Sequence, residues 1–239
     1  SSGSAGTLGS GSYLRETFPG ARGGVAEALQ CPTILENGFG AHRIEGIGDK
    51  HIPWIHNLRE TDAAGGVDDE LPVRMIRLFN EMAGRDVLAE AGVPAALLAK
   101  LDWLGISGVG NLIGAIKFAK YFELGPSDVV FTVFTDSMAL YGSRLRELEA
   151  ERGAYDRRQA DRDLAVLGAI SDDKVLELTQ VDKRRVHNLK YFTWIEQLGK
   201  DLGELRAQWD DYRSYWGGLR SQLGELDSMI EAFNAEILG

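Results

Sequence analysis

The sequence predicts an α/β protein: a parallel, twisted sheet flanked by helices and continued by a helical C-terminal extension. Three observations predict it. A β-branched and aromatic run, Val129-Val130-Phe131-Thr132-Val133-Phe134-Thr135, lies between two helical patterns. Glycine is clustered at residues 3–24, 38–48 and 105–114. Beyond residue 143 the pattern is almost wholly helical. The chain therefore reads as an α/β portion, residues 1–143, and a helical extension, residues 144–239.

The run at 129–135 has no polar alternation, as expected of a strand covered on both faces. The helix before it is expected over about Val109 to Glu123, where Leu112, Ile113, Ile116, Phe118, Ala119 and Phe122 mostly follow helical spacing. Another is expected from Ser137 through Leu148. Helix, buried strand, helix is the pattern of a parallel sheet. Nearer the N-terminus a helix is expected over Gly11 to Phe18, with strands near Arg22 to Ala28 and Ala63 to Val67. Both strands carry a Gly-Gly pair, at 23–24 and 65–66, and glycine weakens a strand. In the extension, Leu219, Leu223, Leu226, Ile230, Phe233 and Ile237 step by 4, 3, 4, 3, 4, an a/d seam. Under three heptads is marginal for a free-standing coiled coil, so the helix is expected to dock on its own domain. A dimer seam is the alternative.

Composition narrows the function classes. The net charge is −10, from 26 basic and 36 acidic side chains, which disfavours a nucleic-acid binder. No apolar run is long enough to span a bilayer, so a cytoplasmic protein with no membrane partner is expected. Cys31 is the single cysteine, which rules out an intrachain disulfide. His42, His51 and His56 lie near Glu45 and Asp49, but their spacing does not enforce a metal site, and none is expected. Glycine accounts for 29 of 239 residues, well above a norm of about 7%, so several loops need close approach or positive φ. That is the signature of a ligand held by loops.

Four segments suggest where. Ser2-Gly3-Ser4-Ala5-Gly6-Thr7 is a small-residue loop running into a helix, where converging N–H groups and the helix dipole favour a phosphate. Taken alone it reads better as a flexible Gly/Ser leader. Gly46-Ile47-Gly48 is followed by Pro53 in a turn-rich loop. Gly105-Ile106-Ser107-Gly108 opens a helix, and the predicted strand ends in Thr135-Asp136-Ser137. Loops at the carboxyl ends of parallel strands are where open α/β sheets bind ligands.

In this order and spacing the four segments resemble the fold type II pyridoxal-phosphate enzymes, the superfamily of cysteine synthase and cystathionine β-synthase. The resemblance covers residues 1 to about 145 and corresponds to the C-terminal half of such an enzyme. The rest is similar to a beta-subunit-like branch. It implies pyridoxal 5'-phosphate as cofactor and a lyase or β-replacing transferase acting on a small amino acid. It implies that Ser2, Gly3, Ser4, Ala5, Gly6 and Thr7 hold the phosphate and that Ser137 faces the pyridine nitrogen. Asp136-Ser137 with Tyr141 matches the cystathionine β-synthase version. Gly46, Ile47, Gly48, Gly105, Ser107 and Gly108 would line the pocket. The family's Schiff-base lysine lies well upstream of the phosphate loop, so here it is expected outside this chain, on an N-terminal half supplied as a separate chain or segment. Of the lysines present, only Lys50 lies in a cofactor-side loop. A homo- or hetero-oligomer is expected. The alternative is a non-catalytic partner subunit that keeps the fold for assembly or regulation.

Overall fold

The computed structural model describes residues 5–238. The chain divides into two units, Ser1–His187 and Asn188–Gly239. In order, the first contains α1 (Ala5–Thr17), β1 (Gly24–Ala28), α2 (Thr33–Glu36), β2 (Ala63–Val67), α3 (Glu70–Asn80) and α4 (Met82–Glu90). It continues with α5 (Ala95–Leu98), α6 (Ile106–Tyr121), α7 (Gly142–Arg152), α8 (Arg157–Gly168), β3 (Val175–Glu177) and α9 (Gln180–Asn188), whose last residue crosses the division. Helix α7, which begins at Gly142, helix α8 and strand β3 belong to the first unit. Among the described residues no single helix is long and apolar enough to cross a membrane.

The architecture is α/β, with a small sheet of order β1-β2-β3. β1 and β2 are parallel, with Gly24 opposite Ala63 and Ala28 opposite Val67. β3 is antiparallel to β2, which corrects the expectation of a parallel sheet: the sheet is mixed. A three-residue strand with half-exposed faces carries no periodic signal, so the sequence offered no sign of it.

The Gly-Gly pairs do not break the strands, because the glycines make room. A Cβ at Gly24 would lie 2.9 Å from the Phe118 ring, and one at Gly65 would lie 3.1 Å from it. Phe118 on α6 thus packs directly on the two strand backbones. Helix α3 buries Val73, Ile76 and Leu78 completely and lies against α6, α4 and α8. α8 starts at a capping box, Asp156 with Gln159, and is tied to α3 by Arg74 Nε–Asp163 at 2.6 Å.

The predicted strand at 129–135 does not form. Val129 is 89% exposed and Phe131 67%, and the backbone is irregular. β1 is an edge strand, and among the described residues none pairs with its outer side. A groove of about 460 Å³ separates that edge and α6 from Val129–Thr132. A run suited to burial on both faces has no second layer here to bury it.

The second unit holds a π-helix (Tyr191–Gln197), α10 (Leu202–Asp210), α11 (Tyr212–Ser221) and α12 (Leu223–Leu238). Asp201 caps α10 by accepting from Gly203 N and Glu204 N. Lys190 is fully buried, its Nζ donating to Gln208 Oε1 at 2.8 Å. The seam of α12 is not docked. Leu223, Leu226, Ile230, Phe233 and Ile237 are 47–66% exposed, which corrects the expected packing of this helix on its own domain.

Candidate functional site

The site is built around the first turn of α6. Gly105 is its N-cap, in extended conformation and without a side-chain cap bond, and Ile106, Ser107, Gly108 and Val109 are buried. Segment 133–136 is laid along this turn by three contacts. Gly105 N–H donates to Asp136 O at 2.8 Å, Asn111 Nδ2 donates to Val133 O at 3.0 Å, and the Ser107 and Thr135 hydroxyls are 3.3 Å apart. The approach needs glycine at 105, because a Cβ there would lie 2.8 Å from the Tyr141 ring and 3.0 Å from Asp136 Cβ. Tyr141 OH donates to Asp136 Oδ2 at 2.9 Å. Burial, then this bond, pushes the Tyr141 hydroxyl up to about 12. Ser137 follows, half-buried, as the N-cap of a short 3-10 turn at Met138–Leu140.

The opposite wall is the loop 44–49. Gly46 has φ +86° and Gly48 has φ +82°, the left-handed region that glycine enters without strain. Between them Ile47 is buried and serves as an anchor. Its side chain and that of Ile44 fill the space beside Gly110 of α6, where a Cβ would lie 2.8 Å from Ile47 Cδ1. Only the backbone of Ile47 is therefore available to a ligand. A Cβ at Gly46 would lie 3.3 Å from Ser107 Cβ. The structure thus brings together Gly46, Gly105, Ser107 and Gly108, with Gly48 in the same loop and Ser137 one residue beyond the Gly105–Asp136 contact. Thr135 and Asn111 complete the arrangement; the sequence placed Thr135 at a strand end without a site role and did not single out Asn111. Their one available signal was position, two residues before Ser137 and four after Ser107.

The small-residue loop fares differently. Ser2, Gly3 and Ser4 lie outside the described residues. Ala5, Gly6 and Thr7 form the first turn of α1 rather than a loop, and a Cβ at Gly6 would meet nothing within 4 Å. The helix of the following residues extends back through them, and Ser10 Oγ donates to Gly6 O at 2.9 Å within it. Thr7 lines the groove together with Gly24, Asn111, Phe118 and Thr132. Asn111 is one helical turn from Ser107, so the groove opens next to the gathered residues.

Other polar groups have structural partners. Glu27 on β1 is fully buried and accepts from Ile34 N at 3.0 Å and Leu35 N at 2.8 Å. Burial pushes its carboxyl up to about 7, against those two donors and Arg185. His56 Nε2 is 2.8 Å from Thr61 Oγ1, His51 pairs with Asp49, and among the described residues no group of three metal-ligating side chains converges. In the run Lys183–Arg185, Lys183 binds Asp62 at 3.0 Å and Arg185 Nη2 donates to Ile34 O at 2.9 Å. Lys117 is held by Asp173 at 2.6 Å. Lys50 is exposed.

No family model matches the chain. Among solved structures it is similar to a hydrogen sulfide-producing enzyme from Fusobacterium nucleatum, at 26% identity over 72% of this chain and 44% of that one, with a TM-score of 0.44. It is also similar to a point mutant of that enzyme complexed with an alpha-aminoacrylate intermediate, at 23% identity and a TM-score of 0.43. The chain spans less than half the length of these structures.

Proposed function

We propose that this chain is part of a fold type II pyridoxal-phosphate enzyme, a lyase or β-replacing transferase acting on a small amino acid. The observation that carries the reading is the meeting of Gly46 with Ser107 and of Gly105 with Asp136, three separate sequence motifs, at one helix N-terminus. The donor set fits the cofactor. Glycines at 46, 105 and 108 let loop 44–49, the start of α6 and segment 133–136 pack closely together, and Ser107, Thr135 and Ser137 offer hydroxyls to the polar edge of a flat ring. The N–H groups at the start of α6 suit an anion. When bound, pyridoxal phosphate supplies the electron sink for bond breaking at the substrate's α-carbon. The chain's own part is to bind and orient. Ser137 offers a hydroxyl to the pyridine nitrogen, a weaker partner than a carboxylate, which leaves the nitrogen unprotonated and favours elimination or replacement over transamination.

The lysine that carries the cofactor belongs, in this reading, to another chain or segment. Lys117, Lys120, Lys174 and Lys183 are engaged with Asp173, Ile170 O, Glu36 and Asp62. The open edge of β1, the groove beside it and the exposed Val129–Phe134 together suit an added strand. The exposed stripe of α12 suits an oligomer. One observation favours the second reading, a non-catalytic partner subunit: residues 5–7 form a helical turn in place of a phosphate loop.

Visible spectra of the purified native assembly, before and after borohydride with peptide mapping, test this. Label on a lysine of a second chain is the expected result. Label on Lys50 would overturn the assignment of the lysine, and failure to take up pyridoxal phosphate would leave the partner-subunit reading.

A further inference from the structure

His42 precedes the Gly46–Gly48 loop by one turn of chain, and its ring has one hydrogen bond among the described residues. Nε2 lies 3.0 Å from Gly48 O. A carbonyl only accepts, so Nε2 carries the proton and the ring is held as that tautomer. Nδ1 is then a bare acceptor, buried and without a partner.

The geometry around Gly48 is closed on two sides. A Cβ added there would lie 3.1 Å from His42 Nε2 and 3.3 Å from the Ala28 backbone nitrogen. Ala28 is the last residue of β1, so the loop crosses the carboxyl end of the strand between that end and the imidazole. Thr33 Oγ1 lies 2.9 Å from Asp49 O and steadies the next peptide. Two residues back, Gly46 faces Ser107. Gly48 over β1 and Gly46 against Ser107 are thus the two ends of one short loop, anchored between them by buried Ile47.

We propose that His42 is a positioning residue: through its Nε2–H bond to Gly48 it sets the Gly46–Gly48 loop over β1 and so the opening of the candidate cofactor site. The importance of that opening rests on the proposed function, whereas the hold on the loop does not. Gln at 42 keeps a terminal N–H donor, and Phe keeps a flat ring but no donor, so the pair separates hydrogen bonding from packing.

The test uses the full chain with ¹⁵N-labelled histidine. Long-range ¹⁵N–¹H spectra are expected to show His42 protonated on Nε2. In H42F, amide exchange at residues 46–49 rises about tenfold, the worth of one hydrogen bond, while Val73–Leu78 of α3 stays unchanged. H42Q stays within about threefold of the parent. A His42 ring protonated on Nδ1, unchanged exchange in H42F, or equal effects of H42F and H42Q would each overturn the proposal. If H42F loosens α3 as well, the tautomer and H42Q decide. Titration of the same proteins with pyridoxal phosphate reads the site separately. Weaker binding by H42F alone supports both ideas. No binding by the native assembly of the parent chain, with the exchange pattern as expected, leaves His42 holding the loop and counts against the cofactor reading.

Discussion

The hydroxyl of Tyr141 donates to the carboxylate of Asp136 across five residues, at 2.9 Å, and closes the turn that carries Ser137. Asp136 O also accepts from Gly105, so one residue links the start of α6 to the proposed partner of the pyridine nitrogen. Y141F removes the side-chain link and leaves the ring packing. The expected loss is about 1 kcal/mol of unfolding free energy, read by denaturant titration. The parent's Tyr141 should also resist ionisation until about pH 12 in a spectrophotometric titration.

Gly46 has no room for change. At φ +86°, and with Ser107 Cβ 3.3 Å from where an added methyl group would stand, G46A meets both strain and crowding. A cost of about 1–3 kcal/mol is expected. The companion S107G relieves the crowding but not the strain. A double variant as stable as S107G alone would show that backbone conformation is not the cause.

Glu27 makes the first unit sensitive to pH. Its folded carboxyl titrates near 7 because it is buried, against an ordinary value of 4.5. The folded state therefore holds a proton that the unfolded chain releases between those values. Its contribution is fully present below pH 4.5 and is lost as pH rises through 7, on the order of 3 kcal/mol. Denaturant unfolding at pH 5 and pH 8 should show that decline in the parent and a much flatter response in E27Q. An equal slope in both would exclude Glu27 as its source.

Lys190 does the opposite in the second unit. Burial brings its ammonium down to about 7 from 10.5. Its neutral form is fully stabilising above pH 10.5, and that contribution is lost as pH falls through 7. Raising pH from 6 to 9 should strengthen the unit by on the order of 3 kcal/mol. Tryptophan fluorescence from Trp194, Trp209 and Trp216 can follow its unfolding. K190M should remove most of the pH dependence and be the more stable protein at pH 6.

Much of the first unit was legible in the residues. β2 lies over Ala63–Val67 as read, β1 within two residues of its predicted start, and α6 three residues earlier than its apolar spacing indicated. Gly105 and Gly46 could be singled out because close approach and positive φ leave glycine as the residue that fits. Val129–Thr135 misled, because β-propensity records what a pleated, covered surface favours and not whether a neighbouring strand is there. Gly6 and Thr7 misled for a related reason. A small-residue stretch is compatible with a loop around an anion and with a helical turn, and contacts outside the stretch choose between them.

The local sequence was enough to specify helices whose apolar residues recur at helical spacing, such as α6, and turns that favour glycine, such as Gly46 and Gly48. Both are decided within a few residues, by side-chain sterics and the period of the backbone. The rest came from contacts between residues far apart in the chain. Phe118 on the strand glycines, Ser107 against Gly46, His42 on Gly48 and the buried charges of Glu27 and Lys190 depend on which surfaces the fold presses together. Burial and hydrogen-bond partnership are properties of that packing, and no local pattern encodes them.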